Sequence, residues 1–260
     1  MFTCKEYRRV QSLEEAWTLN QKRSNLLLGG MLWTKMGQRN VQTAIDLSAL
    51  GLDQIEEDAE EFRIGCMVTL RQLETDEALN TYTDGAVRES VRHIVGVQFR
   101  NSATVGGSVF GRFGFSDVLT MLLALDSYVE LYKGGIVPMA EFAASPRDRD
   151  ILVRVIIRKT PGRFAYQSMR NTKTDFPTLA CAAALIDGKV RVSIGARPQR
   201  AMLLTDETGI LKDGITQEST AAFGMYAADH IPVGTNLRGS AEYRRELVKV
   251  LTKRACLALV

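Results

Sequence analysis

The sequence predicts an α+β protein in two parts, and three observations carry that expectation. The first half alternates capped helices with short apolar strands and contains two Gly-Gly turns, Gly29-Gly30 and Gly106-Gly107. A basic stretch with a Pro-Gly pair, Arg158 to Arg163, then breaks the pattern. Beyond it three strands come in succession before helices take over, which is the layout of a small antiparallel sheet backed by helices.

The elements follow in order. Ser12 is placed to cap a helix, with Glu15 three residues on to close a capping box and Ala16, Trp17, Leu19 and Asn20 at helical spacing. Asn25 to Leu28 reads as a short strand that stops at Gly29-Gly30, and Met31 to Met36 suits a short helix. Val41–Leu47 and Glu61–Cys66 are further strands, and Thr69 opens a helix containing Leu70 and Leu73. A helix from about Asp84 places Val87, Val91, Ile94 and Val95 on one face. The glycine-rich stretch Asn101 to Gly114 is expected to interrupt regular structure. Ser116 then caps an apolar helix, Asp117 to Leu125, followed by strands Tyr128–Tyr132 and Asp150–Arg158. Past the break come strands Phe164–Met169, Leu179–Ile186 and Val190–Ala196, the last two joined by an Asp187-Gly188 hairpin. Helices from about Gln217 to Ala228 and Ser240 to Leu259 complete the chain.

Composition excludes several classes. In 260 residues, 45% hydrophobic and 24% charged, order is expected throughout. The net charge of +3, from 33 basic and 30 acidic residues, is too even for the field of a nucleic-acid binder. No apolar run reaches the roughly 18 residues of a membrane span, and the start lacks a signal-peptide layout, so a cytoplasmic protein is expected. Cys4, Cys66, Cys181 and Cys256 form no Cys-x-x-Cys pair, so neither a zinc site nor an iron-sulfur cluster is expected on this chain.

Gly-Gly turns let a ligand approach the main chain, where N–H groups bind phosphate oxygens. Thr104-Val105-Gly106-Gly107-Ser108 adds hydroxyls to its turn; neither turn matches a dinucleotide fingerprint or a phosphate loop. Asp117 suits the start of a helix, Trp33 suits the core, and His93 and His230 lack the local partners of a catalytic or metal site. Arg238, Arg244, Arg245, Lys249, Lys253 and Arg254 read as the wet face of the last helix.

Taken together, these turns and their surroundings resemble the flavoprotein, or medium, subunits of xanthine dehydrogenase, carbon monoxide dehydrogenase and related molybdenum hydroxylases. Leu28-Gly29-Gly30-Met31-Leu32 stands in place of the family's first FAD motif. Gln98, Arg100, Asn101, Thr104 to Ser108, Asp117 and the apolar run Leu119 to Leu125 reproduce its second. Asp175-Phe176-Pro177 and Arg238-Gly239-Ser240-Ala241-Glu242-Tyr243-Arg244-Arg245 are similar to its C-terminal domain. The resemblance implies a two-subdomain FAD-binding fold of the vanillyl-alcohol-oxidase/PCMH type over residues 1–160, subdomains about 1–53 and 54–160. A C-terminal α+β domain with a three-stranded antiparallel sheet would span 163–260. The cofactor-binding residues it implies are Leu26, Leu27, Leu28, Gly29, Gly30, Met31, Leu32, Trp33, Thr104, Val105, Gly106, Gly107, Ser108, Asp117 and Leu152. Both glycine turns would grip the pyrophosphate, with Asp117 near the ribityl or ring end. After Tyr166, where many relatives place a lysine that reaches the flavin, Gln167, Ser168 and Met169 stand instead, which lowers the flavin potential or passes the role to a residue such as Lys173.

The function so implied is electron transfer. A 2Fe-2S small subunit would deliver electrons to FAD, which would pass them to NAD+ or another acceptor, while a molybdenum-cofactor large subunit hydroxylates the substrate; the assembly would be a heterotrimer. Two alternatives are a scaffold subunit of the same fold without flavin and a stand-alone NAD(P)H flavin reductase.

Overall fold

The computed structural model describes residues 1–260, which build three sheets in chain order. The first comprises β1 (Thr3–Arg9), helix α1 (Leu13–Asn20), β2 (Leu26–Leu28) and β3 (Asn40–Asp46), with all strands parallel in the order β1-β3-β2. The charged segment Thr3–Arg9 carries no apolar alternation and sequence reasoning passes over it. Its ladder to β3, from Thr3 opposite Asn40 to Arg9 opposite Asp46, makes it a charged edge strand. Ser12 caps α1 as expected, but the Glu15 carboxylate accepts from the Gln11 N–H rather than closing the box on Ser12. Met31 to Met36 yields only a 3₁₀ turn at Thr34–Met36, because Met31 itself takes a left-handed φ of 58°.

The second sheet joins β4 (Ile55–Glu57), β5 (Glu61–Gly65), β6 (Ser127–Leu131), β7 (Gly135–Pro138) and β8 (Leu152–Arg158), antiparallel in the order β4-β5-β8-β6-β7. Between β5 and β6 run α2 (Leu70–Thr75), α3 (Glu77–Tyr82), α4 (Ala86–Val91), α5 (Val97–Arg100), α6 (Val105–Phe110) and α7 (Asp117–Ala124), and α8 (Met139–Ala144) precedes β8. The helix expected to reach Val95 ends at Val91, since Val95 turns left-handed with φ 51°. The glycine-rich stretch, expected to be irregular, contains α6, which Thr104 caps.

The third sheet orders β9 (Gly162–Arg170), β10 (Pro177–Ile186), β11 (Lys189–Gly195) and β12 (Met202–Thr205) as β12-β11-β10-β9, backed by α9 (Gln217–His230) and α10 (Ala241–Leu257). It is antiparallel as expected but has a fourth strand; Met202–Thr205 is short and only half-buried, so its pattern is weak. Arg244, expected on the wet face of the last helix, is fully buried. Its guanidinium donates to the carbonyls of Thr178, Gly234 and Gly239 and to Asn236 Oδ1, which ties the loop before α10 to β10.

The small side chains of β10 determine how the parts meet. Ala180, Ala182 and Ala184 face the main core, which also holds Leu119, Met121, Leu122 and Leu123 of α7. Leu179, Cys181 and Ala183 face Phe223, Val248 and Leu251 of the two long helices. All eight residues of α7 are buried, and each of its large apolar side chains contributes roughly 1.5–3 kcal/mol by leaving water. A Cβ on Gly195 would lie 1.9 Å from Thr120 Oγ1, so the Thr120 side chain of α7 rests directly on the bare backbone of β11. This packing fixes the first residue of α7, Asp117, against β9. No helix is long and apolar enough to cross a membrane.

Candidate functional site

Two cavities of about 440 Å³ each meet along Leu27, Gly29, Thr104, Gly107 and Phe113. Together they form an elongated cleft with a waist where the two glycine turns face each other. A Cβ on Gly29 would stand 3.9 Å from Gly107 Cα. Volumes of this order are typical of cofactor sites.

The two turns offer different chemistry. No amide from Gly29 to Trp33 donates to a protein acceptor, so five consecutive N–H groups, all on residues that line the cleft, are without protein partners. The second turn uses its amides internally: Val105 donates to Val68 O, Gly106 to Cys66 O, Gly107 to Thr104 Oγ1 and Ser108 to Thr104 O. What it presents is a surface without Cβ. Gly30 has a further reason to be glycine, because its Cβ would fall 1.8 Å from Ser102 O, where the two loops are in backbone contact. Sequence reasoning gave both turns one role because it had no means of seeing which amides were already engaged.

The first cavity is walled by aromatic and apolar groups. Trp33, expected in the core, is half exposed and stacks on Phe176 with centroids 5.8 Å apart, and Phe115 meets the same ring at 4.6 Å. Val95 lines this wall too, held in its strained turn by Arg100, whose Nη1 donates to Ile94 O while its guanidinium pairs with Glu74 at 2.8 Å. At the inner end stands Asp117, with 3% of its surface exposed. Its Oδ1 accepts from Tyr166 Oη at 2.5 Å and from Arg170 Nη2 at 2.6 Å. Burial pushes the Asp117 carboxyl up to about 6 against the pull of Arg170 and Tyr166, and it drives the Tyr166 phenol well above its usual value.

Arg170, which the sequence reading missed, is the one cation in this wall. Lys173, the expected substitute for the family's lysine, is not in the wall and lines a separate outer groove with His93 and Glu89. The signal was available: Arg170 lies four residues past Tyr166 in one strand, hence on the same side of the sheet.

The second cavity holds Leu26, Leu27, Leu28, Gly106 and Leu152, with Arg39 and Arg147 supplying positive charge. The first holds Gly30, Met31, Leu32, Trp33, Ser108 and Asp117. Of the implied residues only Val105 lies outside both; it is buried beneath the second turn.

The fold and this cleft define a flavoprotein. Residues 2–159 match the family described as the FAD binding domain in molybdopterin dehydrogenase, and residues 164–259 match the CO dehydrogenase flavoprotein C-terminal domain. The chain belongs to this family: it is an oxidoreductase flavoprotein subunit and its cofactor is FAD. Among its relatives are the nicotine 6-hydroxylase medium subunit of Paenarthrobacter nicotinovorans, 25% identical over 95% of this chain and 94% of that one, and the uncharacterized protein YgfM of Escherichia coli K12, 25% identical over 95% and 93%. The reconstituted CO dehydrogenase from Oligotropha carboxidovorans shares the fold, with a TM-score of 0.86 and 21% identity over 98% of this chain and 96% of that one.

The residues present fit the cofactor. A dinucleotide has two ring systems joined by a charged pyrophosphate, and the cleft has two chambers joined at a glycine waist, from which the run of free amides Gly29 to Trp33 extends into the first chamber.

Proposed function

We propose that the chain is the electron-transfer subunit of a molybdenum hydroxylase. It takes electrons from a 2Fe-2S small subunit and passes them through FAD to NAD+ or another acceptor, and a molybdenum-cofactor large subunit carries out hydroxylation. The observation that carries this proposal is the two-chambered cleft, with five consecutive unpaired amides that run from its waist at Gly29 into the first chamber at Trp33. When bound, FAD exchanges electrons one or two at a time, which suits a junction between an iron-sulfur cluster and a two-electron acceptor.

The protein's part is to bind, orient and exclude water. The amides of Gly29 to Trp33 hold the pyrophosphate, with Gly106 and Gly107 allowing close approach from the other side. Leu26, Leu27, Leu28 and Leu152 surround the adenine end, with Arg39 and Arg147 beside it. Met31, Leu32, Trp33, Thr104, Ser108 and Asp117 surround the ring end, where Trp33, Phe115 and Phe176 keep water from the ring. No side chain is required as acid, base or nucleophile.

The test is purification of the tagged chain from its own host. The proposal expects a complex whose spectrum combines flavin and 2Fe-2S bands, which contains molybdenum, and whose flavin exchanges electrons with the cluster when the complex is reduced. A chain that purifies alone and turns over NAD(P)H with an artificial acceptor would be a stand-alone reductase and would contradict it.

A further inference from the structure

The loop between α9 and α10 is held by a dense set of hydrogen bonds. Asn236 and Gly239 exchange backbone bonds across a tight turn, and Asn236 Oδ1 accepts from the Arg238 N–H. The buried Arg244 guanidinium donates to the carbonyls of Gly234 and Gly239 and to Asn236 Oδ1, while Thr235 Oγ1 accepts from the Ala241 N–H. Arg238 is pinned by Asp175 at 2.9 Å and lies over the Phe176 ring, 5.0 Å from its centroid. The residue that this frame displays is Leu237, which is fully exposed.

One exposed leucine is ordinary on a protein surface. Two features set this one apart. A loop already fixed in place loses little entropy when an interface forms on it. Leu237 also has apolar company: its neighbour Arg238 covers Phe176, and Trp33 and Phe115 pack on that same ring. Trp33, Phe115, Met36 and Tyr243 are all left exposed, a surface rich in large apolar and aromatic groups of the kind that protein contacts cover.

Trp33, Phe115 and Phe176 also line the first cavity, so this surface is the rim of the chamber assigned to the FAD ring. Electron transfer weakens steeply with distance, and a protein that delivers electrons to that chamber must dock on its rim. The charge agrees: the segment Trp33 to Arg39 carries Lys35 and Arg39 and no carboxylate, whereas a 2Fe-2S cluster held by four thiolates is net negative. Resting on the electron-transfer reading above, we infer that Leu237 and the aromatic rim beside it form the docking surface for the 2Fe-2S subunit. Leu237 fills an apolar pocket of that partner, and Lys35 faces its acidic side.

The experiment titrates the full-length, FAD-loaded chain by calorimetry with the isolated 2Fe-2S subunit and, separately, with the molybdenum subunit of the same complex. Leu237→Asp would bury a carboxylate without a partner, so it is expected to weaken the 2Fe-2S subunit by at least about tenfold and to leave the molybdenum subunit within about twofold. Lys35→Glu is expected to weaken the 2Fe-2S subunit as well, and by less at high salt. Ile136→Asp, at another exposed apolar residue on β7, should leave both partners within about twofold of wild type. Retained flavin absorbance reports that each variant is folded. A Leu237→Asp chain that binds the 2Fe-2S subunit as wild type does, or that loses only the molybdenum subunit, would overturn the inference. A wild-type chain that dimerises by itself and is made monomeric by Leu237→Asp would assign the surface to a second copy and overturn it too. Wild type that holds FAD but binds no 2Fe-2S subunit would instead remove the electron-transfer reading beneath it.

Discussion

Gly107 and Gly106 are neighbours in one helix, yet alanine should have opposite effects at the two positions. Gly106 is packed on Cys66: a Cβ there would stand 2.8 Å from both Cys66 Cβ and Cys66 O. Relieving that clash requires the loop and β5 to separate, an overpacking cost of about 1–3 kcal/mol. At Gly107 the nearest atom is Thr104 Oγ1 at 3.1 Å, and nothing else lies within 4 Å, because the position opens on the waist of the cleft. Neither glycine has a positive φ. With Thr104 Oγ1, the acceptor of Gly107's own N–H, shifting by a few tenths of an ångström, Gly107→Ala gains the usual advantage of alanine inside a helix, about 0.5–1 kcal/mol. At roughly 2–4 °C per kcal/mol for a chain of this size, the apoprotein should melt about 1–4 °C higher. Its methyl group narrows the waist, and an overpacking cost of about 1–3 kcal/mol in the complex weakens FAD by roughly 5- to 150-fold. Thermal melting of apoprotein and quenching of flavin fluorescence measure the two effects separately. A lowered melting temperature for Gly107→Ala, or unchanged FAD affinity, would refute the reasoning.

Other consequences follow from buried groups. Arg100→Met removes one partner of a buried ion pair and the anchor of the Val95 turn, so urea unfolding should report a loss of about 3–5 kcal/mol; a loss under 1 kcal/mol would contradict the role given to it. Burial raises the Cys66 and Cys181 thiols to about 12 and Cys256 further still, while Cys4 is exposed. A thiol reagent at pH 8 should therefore modify one cysteine in native protein and four in denaturant. Burial pushes the Asp117 carboxyl up to about 6 in the folded chain, from the ordinary 3.8 of an exposed aspartate in the unfolded one. The folded state thus binds more protons between those values, and this group's contribution to stability falls by an amount on the order of 3 kcal/mol as pH rises from about 4 to 6. The stability difference between wild type and Asp117→Asn should show that slope, and a flat difference would contradict the burial assigned to Asp117.

What the sequence made legible was what depends on local signals. Ser12, Thr69 and Ser116 cap helices where their hydroxyls predict, and the Asp187-Gly188 hairpin joins β10 to β11. Helix α6 was hidden because Val-Gly-Gly-Ser has poor helix propensity; its backbone is held from outside, by Val68 O and Cys66 O. Strand β1 was hidden because a charged edge strand lacks the alternation that betrays a buried one. In the site, the glycines and Asp117 were readable from a motif. Arg170, Phe176 and the exposure of Trp33 arise from contact between parts distant in sequence, and no local pattern encodes that. Arg244 misled for the same reason: on a helical wheel it is one more charge, and only the loop folded over it shows why it is buried.

On the reading proposed above, the glycine-waisted cleft is where this chain holds FAD. The visible absorbance of the purified chain, recorded before and after incubation with FAD and desalting, tests it most directly when wild type is compared with Gly107→Val. Flavin bands should be retained by wild type and lost in the variant, with both proteins folded by circular dichroism. Folded wild-type protein that stays colourless, or a variant that retains flavin as well as wild type, would contradict it.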